Sequence, residues 1–137
     1  MSDRYRKGVD IIQHLAAGHY EQFMAGKVAE VAPDFARMAV EFPFGDLYSR
    51  DRLDLRSREI AAIASLATIG DAVPQLRNHI GAALNLGVTK TEIVEILMQT
   101  AVYAGFPAAL RSLAACHDLL VAEGGDDQAA CRVAGQG

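Results

Sequence analysis

Glycines punctuate the second half of the chain at Gly70, Gly87, Gly105 and Gly124, and each closes a stretch with helical periodicity. "LRSREIAAIASLATIG" ends at Gly70. "DAVPQLRNHIGAALNLG" opens on Asp71 as the expected N-cap, tolerates Pro74 in its first turn and ends at Gly87. "TKTEIVEILMQTAVYAG" places Thr89 and Glu92 in capping-box spacing and ends near Gly105. "PAALRSLAACHDLLVAEGG" has Pro107 at a first-turn position and ends at Gly124. Breaks this short force successive helices to lie beside one another, antiparallel. The pattern predicts an all-α bundle.

Upstream, a helix is expected from about Asp3 to Met24, with Val9, Ile12 and Leu15 on one side, and a second over roughly Val28 to Val40. "EFPFGDLYSRDRLD" then breaks the pattern with Pro43 and Gly45, yet is apolar for a loop, so it should pack against something. No alternating segment supports a strand, and no repeat supports a solenoid. The reading is a single-domain bundle of about six helices over residues 1–122. The C-terminal "EGGDDQAACRVAGQG", residues 123–137, has little to bury and is expected to be a mobile tail.

Composition narrows the functional classes. Half of the 137 residues are hydrophobic (51%), enough for a substantial core, but aromatics are scarce and Trp is absent, so Ala, Leu, Ile and Val must do the packing. A net charge of −4 argues against general nucleic-acid binding, which needs cations to displace counterions from phosphate. No apolar run approaches the roughly 20 residues that span a bilayer, and "MSDRYRKGVD" lacks the apolar core of a signal peptide, so a cytoplasmic protein without membrane contacts is expected. Cys116 and Cys131 form neither a CxxC pair nor a zinc-ligand spacing; no metal site is expected, and Cys116 reads as a small packed residue.

Polar residues on apolar faces are the candidates for chemistry. At about 100° per residue, Val73, Leu76, Ile80, Ala83 and Leu84 form one helix face, and His79 falls at its margin. On the preceding helix Glu59 shares a stripe with Ile63 and Leu66, a costly place for an unpaired carboxylate. The tight turn at Gly70 and Asp71 sets Glu59 and His79 about four residues out of register, roughly 6 Å along the axis, within reach of a direct or water-bridged contact. A Glu–His pair in an apolar pocket suits general acid–base work. Blander readings compete: Glu59 in a first helical turn satisfies the helix dipole, and His79 can be a core residue bonded to a carbonyl. His19, on the first helix, is a further candidate for lining a pocket, as is Tyr103, read as core with its hydroxyl at a cavity edge. Arg77 is expected on the solvent side or toward a neighbouring chain, and His117 in a structural or subunit-contact role.

The segments "RYRKGVDIIQHLAAGH", "FGDLYSR", "LDLRSREIAAIA" and "LRNHIGAALNLGVTKTEIVEILMQTAVYAGFPAA" together resemble the carboxymuconolactone decarboxylase family, within the alkylhydroperoxidase-like superfamily, over about residues 4–120. The resemblance implies an all-α homo-oligomer, a trimer or hexamer, with a pocket between helices near a subunit interface. It implies decarboxylation of 4-carboxymuconolactone to 3-oxoadipate enol-lactone in aromatic-compound degradation, with no cofactor. The family histidine maps onto His79, and Arg58 and Arg77 match basic positions. The peroxidase branch carries a CxxC whose cysteines would fall at Ala72 and Gln75; neither is Cys, so its thiolate chemistry has no nucleophile there. Glu59 has a rough counterpart in that branch as a proton-relay carboxylate.

The expected mechanism follows from the chemistry. Loss of carbon dioxide leaves electron density that must be delocalised and protonated, which calls for a cation on the substrate carboxylates, a donor on the lactone and an acid for carbon. His79 is assigned the acid or polarising role, Glu59 the setting of its tautomer and charge, and Arg58 or Arg77 the carboxylate. Tyr103 and residues 42–48 would exclude water. Two other readings stand beside it: a thiol-dependent antioxidant enzyme, and a non-catalytic or differently specific oligomer that binds a small acid.

Overall fold

A computed structural model describes residues 1–122; the expected tail, with Cys131 and the stop at Gly124, lies outside the described residues. Among the described residues all regular structure is helical. They fall into two compact units, Met1–Arg58 and a second that starts at Glu59.

The first unit holds α1 (Asp3–Leu15), α2 (His19–Met24), α3 (Lys27–Val31), α4 (Pro33–Val40) and a π-helical segment, Glu41–Tyr48. Ser2 caps α1 by accepting the Tyr5 N–H at 3.2 Å. The helix expected from Asp3 to Met24 is interrupted: Ala16 is extended and Gly18 is left-handed at φ 83°. The second expected helix is interrupted at Ala32, because Pro33 pushes its predecessor out of the α region. The segment read as a break is in fact helical. Pro43 cannot supply the N–H of an α-turn, and the wider π-turns Glu41–Tyr48 continue directly from α4. This segment packs on α1 where two glycines meet: a Cβ on Gly45 would overlap the Arg4 carbonyl oxygen, and one on Gly8 would stand 3.0 Å from Val40 Cγ1. Tyr5, Ile12 and Val40 form the core, with Val9, Phe23 and Phe44 against them.

α5 (Leu55–Ile69) opens at the end of the first unit, where Asp54 accepts the Ser57 N–H at 2.7 Å, and enters the second at Glu59. α6 (Val73–Asn85), α7 (Lys90–Ala104), α8 (Phe106–Ala115) and α9 (His117–Leu120) follow. Gly70, Gly87 and Gly105 all take positive φ, near 90°, so the three helix stops in the described chain form as expected. The capping box is present in full: Thr89 Oγ1 accepts from Glu92 N and Glu92 Oε1 from Thr89 N, each at 3.0 Å. Asp71 is not the cap of α6; Ala72 occupies that position without a side-chain bond, and Pro74 covers one orphan donor site. The last helix stops early, at Cys116, and resumes as the single turn of α9. Ile63, Leu76, Ile80, Ile93, Leu97 and Cys116 form the heart of the core. Among the described residues no helix is long and apolar enough to cross a membrane.

Candidate active site

Three helices of the second unit turn buried stripes toward one another: Glu59, Ile63 and Ala67 on α5; Leu76, Ile80 and Ala83 on α6; Ile93, Leu97 and Thr100 on α7. The α5 stripe has the i, i+4, i+8 spacing of one helix face, and its first member is a carboxylate. Glu59 is fully buried. Its Oε2 lies 2.7 Å from His79 Nδ1, the direct form of the contact that the helix register puts within reach. His79 keeps 23% of its side-chain surface exposed, so the ring is neither sealed in the core nor free in solvent.

This geometry decides between the readings of Glu59. It sits at the fifth helical position of α5, beyond the first turn, with its side chain inside the core. Helix-dipole stabilisation does not explain that placement. The other oxygen, Oε1, is buried and has no hydrogen-bond partner among the described residues. A carboxylate taken out of water with one oxygen compensated depends on its single partner, here the imidazole. With Glu59 ionised, Nδ1 carries a proton and donates it to Oε2, which leaves Nε2 as the ring nitrogen outside this bond. The pair can hold an imidazolium beside a buried counter-charge, the arrangement of a general acid.

The remaining candidates are placed differently from one another. Arg77 is on α6, but its guanidinium is engaged: it donates to Asp118 Oδ1 and Oδ2 at 2.7 and 2.8 Å and to the Ala115 carbonyl at 2.9 Å. The fork expected to hold a carboxylate holds one from its own chain, tying α6 to the α8–α9 junction. That pairing raises the Arg77 pKa and pulls the Asp118 carboxyl down to about 2. Tyr103 is not a core residue. It is 82% exposed, at the rim of a groove of about 210 Å³ along α5 and α7, with Ile60, Ala64, Thr68, Ile96 and Thr100. Arg58 donates to the Leu53 carbonyl at 3.1 Å and stacks 5.7 Å from the Tyr48 ring centre, within the first unit. His19, at the start of α2, is half-buried and also belongs to the first unit. His117 is exposed.

Cys116 is buried in the core, and burial raises its thiol pKa. A thiol in that state is a poor nucleophile. Sequence reasoning missed Asp118 as the partner of Arg77. The two are 41 positions apart, and no local pattern links them.

The sequence matches the profile of the Carboxymuconolactone decarboxylase family over residues 33–118. The chain belongs to this family. It is 31% identical over 105 residues to a 4-carboxymuconolactone decarboxylase of Acinetobacter baylyi, an alignment covering 77% of this chain and 78% of the relative. It is 32% identical over 94 residues to an uncharacterized 15.0 kDa protein in the nqo9-nqo10 intergenic region of Paracoccus denitrificans, covering 68% and 70% respectively. The family match includes Glu59, His79, Arg77 and Asp118, while α1, α2 and α3 precede it.

Proposed function

We propose that the protein is a cofactor-free decarboxylase of a carboxylated unsaturated lactone such as 4-carboxymuconolactone, with His79 as the general acid and Glu59 as its positioning carboxylate. The observation that carries this reading is the 2.7 Å contact between a half-buried imidazole and a fully buried carboxylate. The family and the named Acinetobacter relative support the reaction class. In the reaction the bond between ring carbon and carboxylate breaks and carbon dioxide leaves. The electron pair spreads through the ring double bond onto the lactone carbonyl oxygen, and a ring carbon then takes one proton. Nothing is oxidised or reduced. The required proton matches what His79 Nε2 delivers as an imidazolium, with Glu59 holding the ring and its charge. Water then reprotonates the ring between turnovers.

The test is ultraviolet loss of 4-carboxymuconolactone on mixing with the purified protein. Turnover is expected, and His79→Ala should lower it by about 10²-fold or more. A folded His79→Ala protein with full activity refutes the assignment. The thiol-dependent alternative is disfavoured by the absence of Cys at Ala72 and Gln75 and by burial of Cys116. Peroxide turnover that is lost on thiol blocking would reinstate it. A carboxylate ligand retained without turnover would instead favour a binding protein.

Self-association as a homotrimer or homohexamer belongs to the same reading. Val102, Tyr103, Phe106 and Leu110 expose large apolar side chains along α7 and α8, each 60% or more accessible. Their solvation is costly for a lone chain and is relieved by a second copy.

A further inference from the structure

The first unit contains a cleft that the decarboxylase reading does not use. It has a volume of about 520 Å³ and lies between α1, α2, α4 and the start of the π-helical segment, lined by Tyr5, Tyr20, Met24, Pro33, Arg37 and Glu41. Small-molecule sites run from about 300 to 1,000 Å³ and pair apolar walls with a few convergent polar groups.

The polar groups here can be counted. The Tyr5 and Tyr20 hydroxyls lie 2.6 Å apart. Each carries one proton, but the contact between them uses only one, so one O–H donor of the pair is unspent. Tyr5 is buried, and burial together with the Tyr20 bond pushes its hydroxyl up to about 12, so it stays a donor. The Arg37 guanidinium makes no hydrogen bond or ion pair among the described residues. Glu41, by contrast, accepts the Ser2 hydroxyl at 2.9 Å and lies 3.6 Å from Arg4. The groups not committed to another side chain are therefore a guanidinium and a hydroxyl donor, and the carboxylate on the wall is already compensated. Met24, Pro33 and the two tyrosine rings supply apolar walls.

We infer that this cleft binds a small monocarboxylic acid with an apolar body, its carboxylate accepting from Arg37 and from the free hydroxyl of the Tyr5–Tyr20 pair. A guanidinium and a neighbouring O–H match the two oxygens of such a group. The inference is independent of the reaction at His79.

Benzoate is the probe, titrated into the full chain while methionine methyl and tyrosine ring resonances are followed by NMR. Saturable shifts at Met24 and Tyr20 are expected. Arg37→Gln, at an exposed position, should weaken binding by about tenfold or more, the scale of a lost charged hydrogen bond. Tyr20→Phe leaves the Tyr5 donor and should bind within a few-fold of the parent, whereas Tyr5→Phe with Tyr20→Phe removes both donors and should weaken binding further than either single change. Benzamide and benzylamine should not saturate the site. The inference is overturned by no shift at Met24 and Tyr20, by equal benzoate affinity in Arg37→Gln, or by tighter binding of benzylamine than benzoate.

Discussion

A single side chain decides how the second unit reads. Glu59 occupies a position where the periodicity calls for Ile or Leu, and burial makes the choice expensive unless a partner compensates it. Removing the partner exposes that cost: His79→Ala leaves a buried carboxylate unpaired and should destabilise the fold by up to about 3–5 kcal/mol, measured by urea unfolding. Glu59→Gln keeps a hydrogen-bonding group of the same shape but removes the counter-charge, so it should preserve more stability than His79→Ala while still lowering turnover. A second pair sets an acid limb. Asp118 titrates at about 2 beside Arg77, against 3.8 ordinarily. Its contribution is fully present above the ordinary value and is lost as pH falls through about 2. Asp118→Asn should therefore flatten the loss of stability below pH 4, an effect kept small by solvent around this surface pair. An unchanged acid limb in the variant would show that the pair carries no linkage.

At the level of helices and turns, the chain is legible wherever the determinant is local. Gly70, Gly87 and Gly105 mark helix ends because each takes a positive φ that residues with a Cβ rarely adopt, and Thr89 and Glu92 declare their capping box in the sequence. Thr89→Ala should cost about 1 kcal/mol for that reason. The Glu59–His79 contact was also readable, since one tight turn fixes the offset of two antiparallel helices. What local pattern hides is whatever depends on packing. The stretch from Glu41 to Tyr48 looks like a loop through Pro43 and Gly45, yet it is helical and lies close against α1 at Gly8 and Gly45. Gly45→Ala should drive a methyl into the Arg4 carbonyl and cost about 1–3 kcal/mol, read as a lowered melting temperature. Tyr103 reads as core because apolar periodicity cannot distinguish a face covered within one chain from one left open, and Arg77 reads as a candidate for a substrate carboxylate because its partner Asp118 is distant in sequence.

For the molecule as a whole, the exposed apolar residues of α7 and α8 are the surface on which the proposed self-association is tested. Phe106→Ser with Leu110→Ser should shift the sedimentation coefficient toward a single chain without loss of helical signal; an unchanged coefficient would separate assembly from this face. Assembly, however, is secondary to the proton that the Glu59–His79 pair is assigned to deliver. The direct measurement is turnover of 4-carboxymuconolactone by His79→Gln, whose amide can still donate to Glu59 but cannot act as an acid. A folded protein with kcat down by about 10²-fold is the expected result. Wild-type turnover in that variant would contradict the role given to His79.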